Sequence, residues 1–192
     1  MRIVFAALVW AALGIAQANA GFDFFIQTFD AAGTTLQSTF NLGDTVTVKV
    51  SAVDNLAGAG PNVSSGGVIG GGWRILSSTT DVDDFSSFTT PFASLSTSSG
   101  VPSSAAGTTF SFIGGGPAAG SPVVLGQFQY VVNVAGNTDI SFNAAANNGL
   151  IFGATNHAAT NLTGATVTAV PEPSSLALLG LGCTALAFRR RR

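Results

Sequence analysis

The body of the chain, defined as residues 21–169, contains no cysteine and no glutamate. The single cysteine of the protein, Cys183, lies in an apolar run near the C-terminus. The body therefore has neither a disulfide bond nor a catalytic thiol, although many small exported domains depend on disulfides. A chain of this length can bury a proper hydrophobic core, and we expect one domain that such a core stabilises.

Positive charge is also scarce in the body. It carries eight aspartates and only two basic residues, Lys49 and Arg74, so its net charge is −6. Nucleic acids and anionic lipid surfaces are bound through clusters of lysine and arginine. The composition therefore excludes a nucleic-acid partner and argues against direct binding of the body to an anionic lipid surface.

The body has few of the residues that build exposed helices and is rich in Gly, Ser, Thr, Ala, Asn, Val and Phe. In Asp44–Val53 the valines alternate with polar residues, which is the period of a half-buried strand. The same alternation predicts a strand over Val123–Val134. Shorter strands are predicted at Phe22–Phe29, Thr34–Phe40, Trp73–Ser78, Thr108–Ile113, Thr138–Ala144, Leu150–Phe152 and Thr163–Ala169. Short strands separated by turn residues predict an all-β fold, an antiparallel β-sandwich.

Three segments rich in Gly, Ser and Ala, residues 55–72, 94–107 and 114–122, are predicted to be long surface loops. The run Gly66–Gly72 superficially resembles a phosphate-binding loop, but neither a helix pattern nor a lysine follows it. We interpret this run as a flexible connection. Any binding surface is expected to lie on these loops.

Candidate catalytic groups are few. The only histidine, His157, lies in a polar stretch that we interpret as a solvated loop rather than as the site of a base or a metal ligand. No Ser-His-Asp arrangement is readable. A glycosidase would need two aspartates as its carboxylate pair, because the body has no glutamate. The sequence therefore predicts that the body is not an enzyme.

The densest acidic cluster contains Asp81, Asp83 and Asp84. Three carboxylates within four residues could bind calcium, which prefers oxygen ligands. The spacing lacks the glycine and the distal glutamate of a known calcium loop, so a solvated acidic turn is the favoured interpretation. Calcium is therefore kept only as an alternative.

Aromatic side chains could stack on sugar rings. Trp73, Tyr130 and most phenylalanines occupy alternating strand positions, which predicts that they belong to the core. Phe88 and Phe92 lie in an irregular stretch and are better candidates for exposure, yet core packing is favoured for them too.

The N-terminus has the three parts of a secretory signal peptide. Met1-Arg2 is a short positive start, Ile3–Ala16 is apolar, and the small residues Ala18 and Ala20 mark a cleavage site. We predict a signal helix over residues 1–20, removed by signal peptidase after Ala20. The alternative is a membrane anchor or a core helix, but the apolar run is short for a membrane span.

The C-terminus, residues 170–192, has a different construction. A Pro-Glu-Pro turn (Pro171, Glu172, Pro173) precedes the apolar run Leu176–Phe188, and four arginines (Arg189, Arg190, Arg191, Arg192) end the chain. As a helix the run would extend about 20 Å, less than the roughly 30 Å of a hydrocarbon core. The sequence therefore predicts a marginal transmembrane helix. The arginines should stay on the cytoplasmic side and leave the body outside.

The tail resembles the PEP-CTERM sorting signal of exported proteins in biofilm-forming Gram-negative bacteria, because the motif, the apolar run and the arginines occur in that order. This resemblance implies that an exosortase cuts at the motif and releases or transfers the body to the cell surface. The alternative is an ordinary membrane anchor that is never cut.

The body resembles the cohesin-like and carbohydrate-binding-module-like sandwich family. The matching stretches are the strand Gly43–Val48, with the sequence GDTVTV, and the late strand Gly136–Phe142. Where that family usually has a Tyr-Asp-Pro segment, this chain has Thr79–Phe85. The resemblance implies a jelly-roll or cohesin-like sandwich.

The first functional hypothesis is a non-enzymatic exported protein, held transiently in the inner membrane and then placed at the cell surface or in the extracellular polysaccharide, where it has a structural or adhesive role. The second is a binding module for a glycan or a protein. The third is an exported hydrolase, which would need two aspartates converging in a cleft.

Overall fold

The computed structural model describes residues 20–98 and 107–171. This part of the chain forms thirteen strands and two short 3-10 helices, Val63–Ser65 and Thr80–Asp84. The strands are β1 (Ala20–Phe29), β2 (Thr39–Asn41), β3 (Thr45–Gly60), β4 (Val68–Ser77), β5 (Ser86–Thr89), β6 (Phe92–Ser98), β7 (Thr108–Gly115), β8 (Val123–Val131), β9 (Gly136–Phe142), β10 (Gly149–Phe152), β11 (Thr155–Ala158), β12 (Leu162–Thr163) and β13 (Ala165–Val170). The all-β prediction is confirmed. Residues 1–19 of the predicted signal helix and the whole predicted transmembrane helix lie outside the described residues, whereas Ala20, the last residue of the predicted signal helix, begins strand β1.

The strands form two sheets. The five-stranded sheet has the order β12-β1-β3-β8-β5, and the eight-stranded sheet contains the path β11-β10-β4-β9-β13-β2 together with β6 and β7. Strand β4 is the centre of the larger sheet. One edge of β4 pairs with β7, whereas its other edge is shared by β10 and β9, which pair with its first and second halves.

The prediction of a purely antiparallel sandwich needs correction at two sheet edges. Strand β12 pairs with β1 in parallel, and β2 pairs with β13 in parallel. The chain changes sheets between β1 and β2 and again between β11 and β12. Because these short strands follow a change of sheet rather than a hairpin turn, nothing requires them to run antiparallel to their new neighbours.

The predicted strand Thr34–Phe40 is wrong over most of its length. The Asp30 carboxylate accepts hydrogen bonds from the backbone N–H groups of Thr34 and Thr35, at 2.8 and 3.1 Å. These bonds, that of Thr35 foremost, lower the pKa of the Asp30 carboxyl below its usual value. Local side-chain bonds of this kind compete with a strand ladder. Only Leu36 makes an isolated bridge, to Phe29, before β2 begins.

The predicted loop over residues 55–72 is also wrong, because β3 extends to Gly60 and β4 begins at Val68. The glycine run lies inside β4. A Cβ atom at Gly71 would lie 2.8 Å from the carbonyl oxygen of Gly149, and one at Gly70 would lie 2.7 Å from that of Phe112. The neighbouring strands thus approach β4 more closely than a side chain permits, which is a structural use of glycine in a strand.

The predicted loop at residues 94–107 is replaced in its first part by β6, while residues 99–106 lie outside the described part. Neither β6 nor β5 was predicted, because their serine-rich sequences carry little hydrophobic alternation. The predicted loop at residues 114–122 is largely confirmed, since β7 ends at Gly115 and β8 begins at Val123.

Aromatic rings fill the space between the sheets. Trp73 is fully buried and lies 4.4 Å from Phe112 between ring centroids. Phe88 stacks on Phe110 at 4.9 Å, and Phe92 is buried against Phe112. The prediction that these aromatics belong to the core is confirmed, including the two that were candidates for exposure. None of these aromatic side chains belongs to an exposed row on which a sugar could stack.

Asp81 is buried, so the interpretation of this cluster as a solvated turn is wrong for it. Its Oδ2 atom accepts hydrogen bonds from the backbone N–H groups of Asn133 and Val134, both at 3.0 Å. The carboxylate therefore ties the helix Thr80–Asp84 to the connection between β8 and β9. Burial, with a smaller effect of the Asp81 charge, raises the pKa of the nearby Tyr130 hydroxyl, which stays neutral.

Replacing Asp81 by alanine should lower the free energy of unfolding by about 1–3 kcal/mol, because two partly buried hydrogen bonds to a charged acceptor are lost. Chemical denaturation at neutral pH measures the change. The matched control is Asp84→Ala in the same helix, whose side chain is exposed and should change stability by about 0.5 kcal/mol at most. Equal effects of the two substitutions would contradict the role given to Asp81.

Candidate functional site

The outer face of the eight-stranded sheet carries a groove of about 640 Å³ across β6, β7, β4 and β10. Its floor is Gly72, whose cross-strand neighbours are Ser111 on β7 and Gly149 on β10. A strand normally presents a side chain at every second position of a face. Two adjacent glycines in one row remove those side chains and leave a depression in the sheet surface.

One end of the groove is apolar. Ile113 on β7 and Ile151 on β10 flank Gly70, and a Cβ atom at Gly70 would lie 3.4 and 3.3 Å from their side chains. Ile113 remains 67% exposed, a large value for isoleucine. Along the side of β10 and β11, the amide oxygen of Asn156 lies close above Gly149. This end therefore offers two aliphatic side chains beside an amide.

The other end of the groove is polar and positively charged. Arg74 follows Gly72 on the same face of β4, and its Nε donates a hydrogen bond of 2.6 Å to the hydroxyl of Thr109 on β7. From Gly70 to Arg74 the strand rises about 13 Å. No acidic residue is among the residues that line the groove in the described part of the chain.

Asn148 holds the loop that forms the remaining wall, Ala145–Asn147. At Arg74 the edge of β4 lies between the end of β9 and the start of β10. The Arg74 carbonyl accepts a hydrogen bond of 2.9 Å from the N–H of Asn143, but the Arg74 N–H has no strand acceptor on this edge. The Asn148 side chain accepts a hydrogen bond from the Arg74 N–H at 2.9 Å and donates to the carbonyls of Asn143 and Ala146. Asn148 is buried and substitutes for the missing strand.

The residues singled out in the sequence lie elsewhere. His157 belongs to β11 rather than to a loop, and its ring packs edge-on against Phe152 at 5.9 Å. Asp81, Asp83 and Asp84 lie in one 3-10 helix. Across residues 20–98 and 107–171, no group of three or more His, Cys, Asp or Glu side chains is arranged to hold a metal ion.

Sequence reasoning missed the groove because it assigned the glycine run to a flexible connection. The available signal was the alternation that follows the glycines, from Trp73 to Ser77, in which buried and partly exposed residues alternate. Extending that alternation backwards would have placed Gly70 and Gly72 on the outer face with Arg74. The expectation that a binding surface lies on loops missed a site built mainly on strands.

The sandwich ends where the tail begins. In β13 the carbonyl of Val170 accepts a hydrogen bond of 3.2 Å from the N–H of Leu42, and the next residue, Pro171, is exposed. Glu172, Pro173, the run Leu176–Phe188 and Arg189–Arg192 lie outside the described residues, as do Ala18 and the rest of residues 1–19. Among the residues that are described, no helix has the length and apolar character needed to cross a membrane.

Comparison with known proteins identifies the tail. Residues 169–192 match the PEP-CTERM protein-sorting motif, which confirms the resemblance seen in the sequence. The match begins at Ala169, inside β13. The search of curated protein sequences found no match for the chain.

Solved structures of cohesin modules share the fold of the body. The cohesin module of a family 33 glycoside hydrolase from Clostridium perfringens has 10% sequence identity and a TM-score of 0.57, over 80% of this chain and 99% of that module. A type I cohesin in complex with dockerin from Clostridium thermocellum has 13% identity and a TM-score of 0.55, over 78% and 99%. A type I cohesin of Pseudobacteroides cellulosolvens has 12% identity and a TM-score of 0.53, over 81% and 96%. The cohesin-like fold is thereby confirmed.

Asn148→Ala should destabilise the protein by about 2–4 kcal/mol, since it removes three hydrogen bonds and leaves the Arg74 N–H without its acceptor. Urea denaturation gives the value. Asn147→Ala is the control in the same loop, because Asn147 is exposed, and should be nearly neutral. A neutral result for Asn148→Ala would show that the loop does not depend on this side chain.

Proposed function

We propose that this protein is exported, sorted by its C-terminal signal, and displayed at the cell surface or in the extracellular polysaccharide as a non-enzymatic module with a structural or adhesive role. One observation supports this proposal most strongly: the same chain contains the PEP-CTERM motif, at residues 169–192, and a cohesin-like sandwich that ends at Val170. The match to the motif begins within the last strand, so no linker separates the sandwich from the signal and the signal delivers the whole sandwich.

The processing steps belong to the same proposal. Signal peptidase removes residues 1–20 after Ala20, with Ala18 and Ala20 as the small residues of its site. The tail then stops in the inner membrane with Arg189–Arg192 on the cytoplasmic side. An exosortase recognises Pro171, Glu172 and Pro173 and separates the body, residues 21–169, from the membrane.

Changing Pro171, Glu172 and Pro173 together to alanine should keep the protein in the membrane fraction of the native host. The intact chain should then retain Arg192, whereas the extracellular form of the unmodified protein should lack it. Cell fractionation and terminal mass spectrometry measure both outcomes. Asp84→Ala, an exposed change in the body, serves as the control and should be processed normally.

Recovery of extracellular, unmodified protein that still ends at Arg192 would contradict processing. Unchanged release of the triple alanine variant would contradict the role of the motif.

The groove favours a second candidate function, a binding module for a glycan or a protein. It is a preformed depression with apolar and polar ends, as ligand sites commonly are. One of the cohesin structures of similar fold is a complex with dockerin, a protein partner. The third hypothesis, an exported hydrolase, gains no support from the groove, because its described lining contains no aspartate, glutamate or histidine.

Filling the groove should reduce attachment to the matrix. Ser111→Phe places a ring beside Gly72 on the outer face of β7, where Ser111 is exposed, and should lower retention on extracellular polysaccharide isolated from the producing cells. Co-sedimentation measures retention. The matched control, Ser86→Phe, changes an exposed serine in the other sheet and should retain like the unmodified protein. Equal retention of all three proteins would exclude the groove as the contact site.

A further inference from the structure

We propose that the groove takes a segment of acidic polysaccharide, with Arg74 holding the carboxylate of a uronic acid sugar. This inference rests on the proposed binding role of the groove and names the class of ligand. It starts from the charge of the body, in which Arg74 and Lys49 are the only two cationic side chains.

Lys49 is already engaged within the protein. Its Nζ donates a hydrogen bond of 2.6 Å to the carbonyl of Gly33 and lies 4.4 Å from the ring centroid of Phe29. These contacts occur on the five-stranded sheet, away from the groove. Lys49 is therefore held by its own surroundings and needs no external anion.

Arg74 is positioned but not neutralised. Its side chain bonds to Thr109 through Nε, and in the described part of the chain it forms no ion pair. Residues 99–106, which connect β6 to β7, contain no acidic residue either. A guanidinium has five N–H donors, so four remain for a ligand. A fixed guanidinium without a carboxylate suits bidentate binding of an external one.

The rest of the lining suits a sugar chain better than an acidic peptide. Ser94, Ser111, Asn147 and Asn156 supply hydroxyl and amide groups that both donate and accept hydrogen bonds, as the hydroxyls of a sugar do. Ile113 and Ile151 offer an apolar contact for ring C–H or acetyl groups at the opposite end.

The net charge of the body limits how acidic the ligand can be. At −6 the body repels a polymer with a charge on every unit, although salt screens this repulsion beyond about 8 Å under physiological conditions. Among the residues that the structure describes, Arg74 is the only cation that lines the groove. The ligand that fits best therefore carries isolated carboxylates between neutral sugars.

The test uses the full chain purified in mild detergent and calorimetric titration with two tetrasaccharides. A hyaluronan tetrasaccharide alternates uronic acid with N-acetylated sugar, whereas chitotetraose is neutral. The acidic sugar should bind more tightly, and Arg74→Gln should weaken its binding by about tenfold to a hundredfold, as expected for loss of a charged hydrogen-bonded pair. Chitotetraose binding should not change with Arg74→Gln.

Three further variants complete the test. Thr109→Val keeps the Arg74 charge but removes the hydroxyl that orients it, so it should weaken binding of the acidic sugar by a smaller factor than Arg74→Gln does. This variant tests the role of Arg74 independently of the stability of Arg74→Gln. Arg74→Lys keeps the positive charge but lacks the paired N–H donors of a guanidinium, so it should also weaken binding of the acidic sugar. Lys49→Gln removes the other cation of the body and should leave binding unchanged.

The inference is overturned if Arg74→Gln binds the acidic sugar as tightly as the unmodified protein, or if a hexaglutamate peptide binds more tightly than the sugar. Loss of matrix retention in Ser111→Phe, with normal retention in Arg74→Gln, would also overturn it while leaving the proposed binding role intact. Failure of export or processing would instead count against the proposed function itself.

Discussion

The close backbone contact around β4 is the constraint on which the rest of the structure depends. This strand has β7 along one edge and both β10 and β9 along the other, and its glycines meet neighbouring carbonyl oxygens at distances that exclude a Cβ atom. On the inner side, Trp73 and Ile75 of the same strand are fully buried. Strand β4 therefore connects the strands of the larger sheet and also contributes buried side chains to the core between the sheets.

The core compensates for the missing disulfides through aromatic packing. The Trp73 ring contacts Phe24 of the other sheet edge-on at 6.3 Å, and Phe110 stacks with Phe128 across the sandwich at the same distance. Gly126 on β8 leaves room for the indole, because a Cβ atom there would lie 3.1 Å from the ring. Within the described residues neither Trp73 Nε1 nor the Tyr130 hydroxyl has a hydrogen-bond partner, so apolar packing offsets those two unsatisfied groups.

The close backbone contact around β4 also forms the groove on the outer face of the larger sheet. The close approach of the neighbouring strands requires glycine at positions 70 and 72, and these glycines leave the outer face of β4 without side chains there. Arg74 is the next residue on that face and the first that has a side chain. The gap between β9 and β10 lets Asn148 and its loop build a wall beside it. The sorting motif begins in β13, which is separated from β4 by β9, so the start of the motif and the groove lie on different parts of the sheet.

The sequence by itself determined the fold class, the exclusion of thiol chemistry and the sorting signal, because alternation, composition and a short contiguous motif are local properties. It also predicted the aromatic core and the two long strands at Asp44–Val53 and Val123–Val134, although in the structure β3 continues to Gly60 and β8 ends at Val131. Only the tertiary structure decided which strands approach Gly70–Gly72 on either side, that Asp81 is buried, and that Asn148 completes the edge of β4. Each of these depends on a backbone group distant in sequence, such as the carbonyl of Gly149 or the N–H of Asn133, and no local pattern records which distant groups will meet.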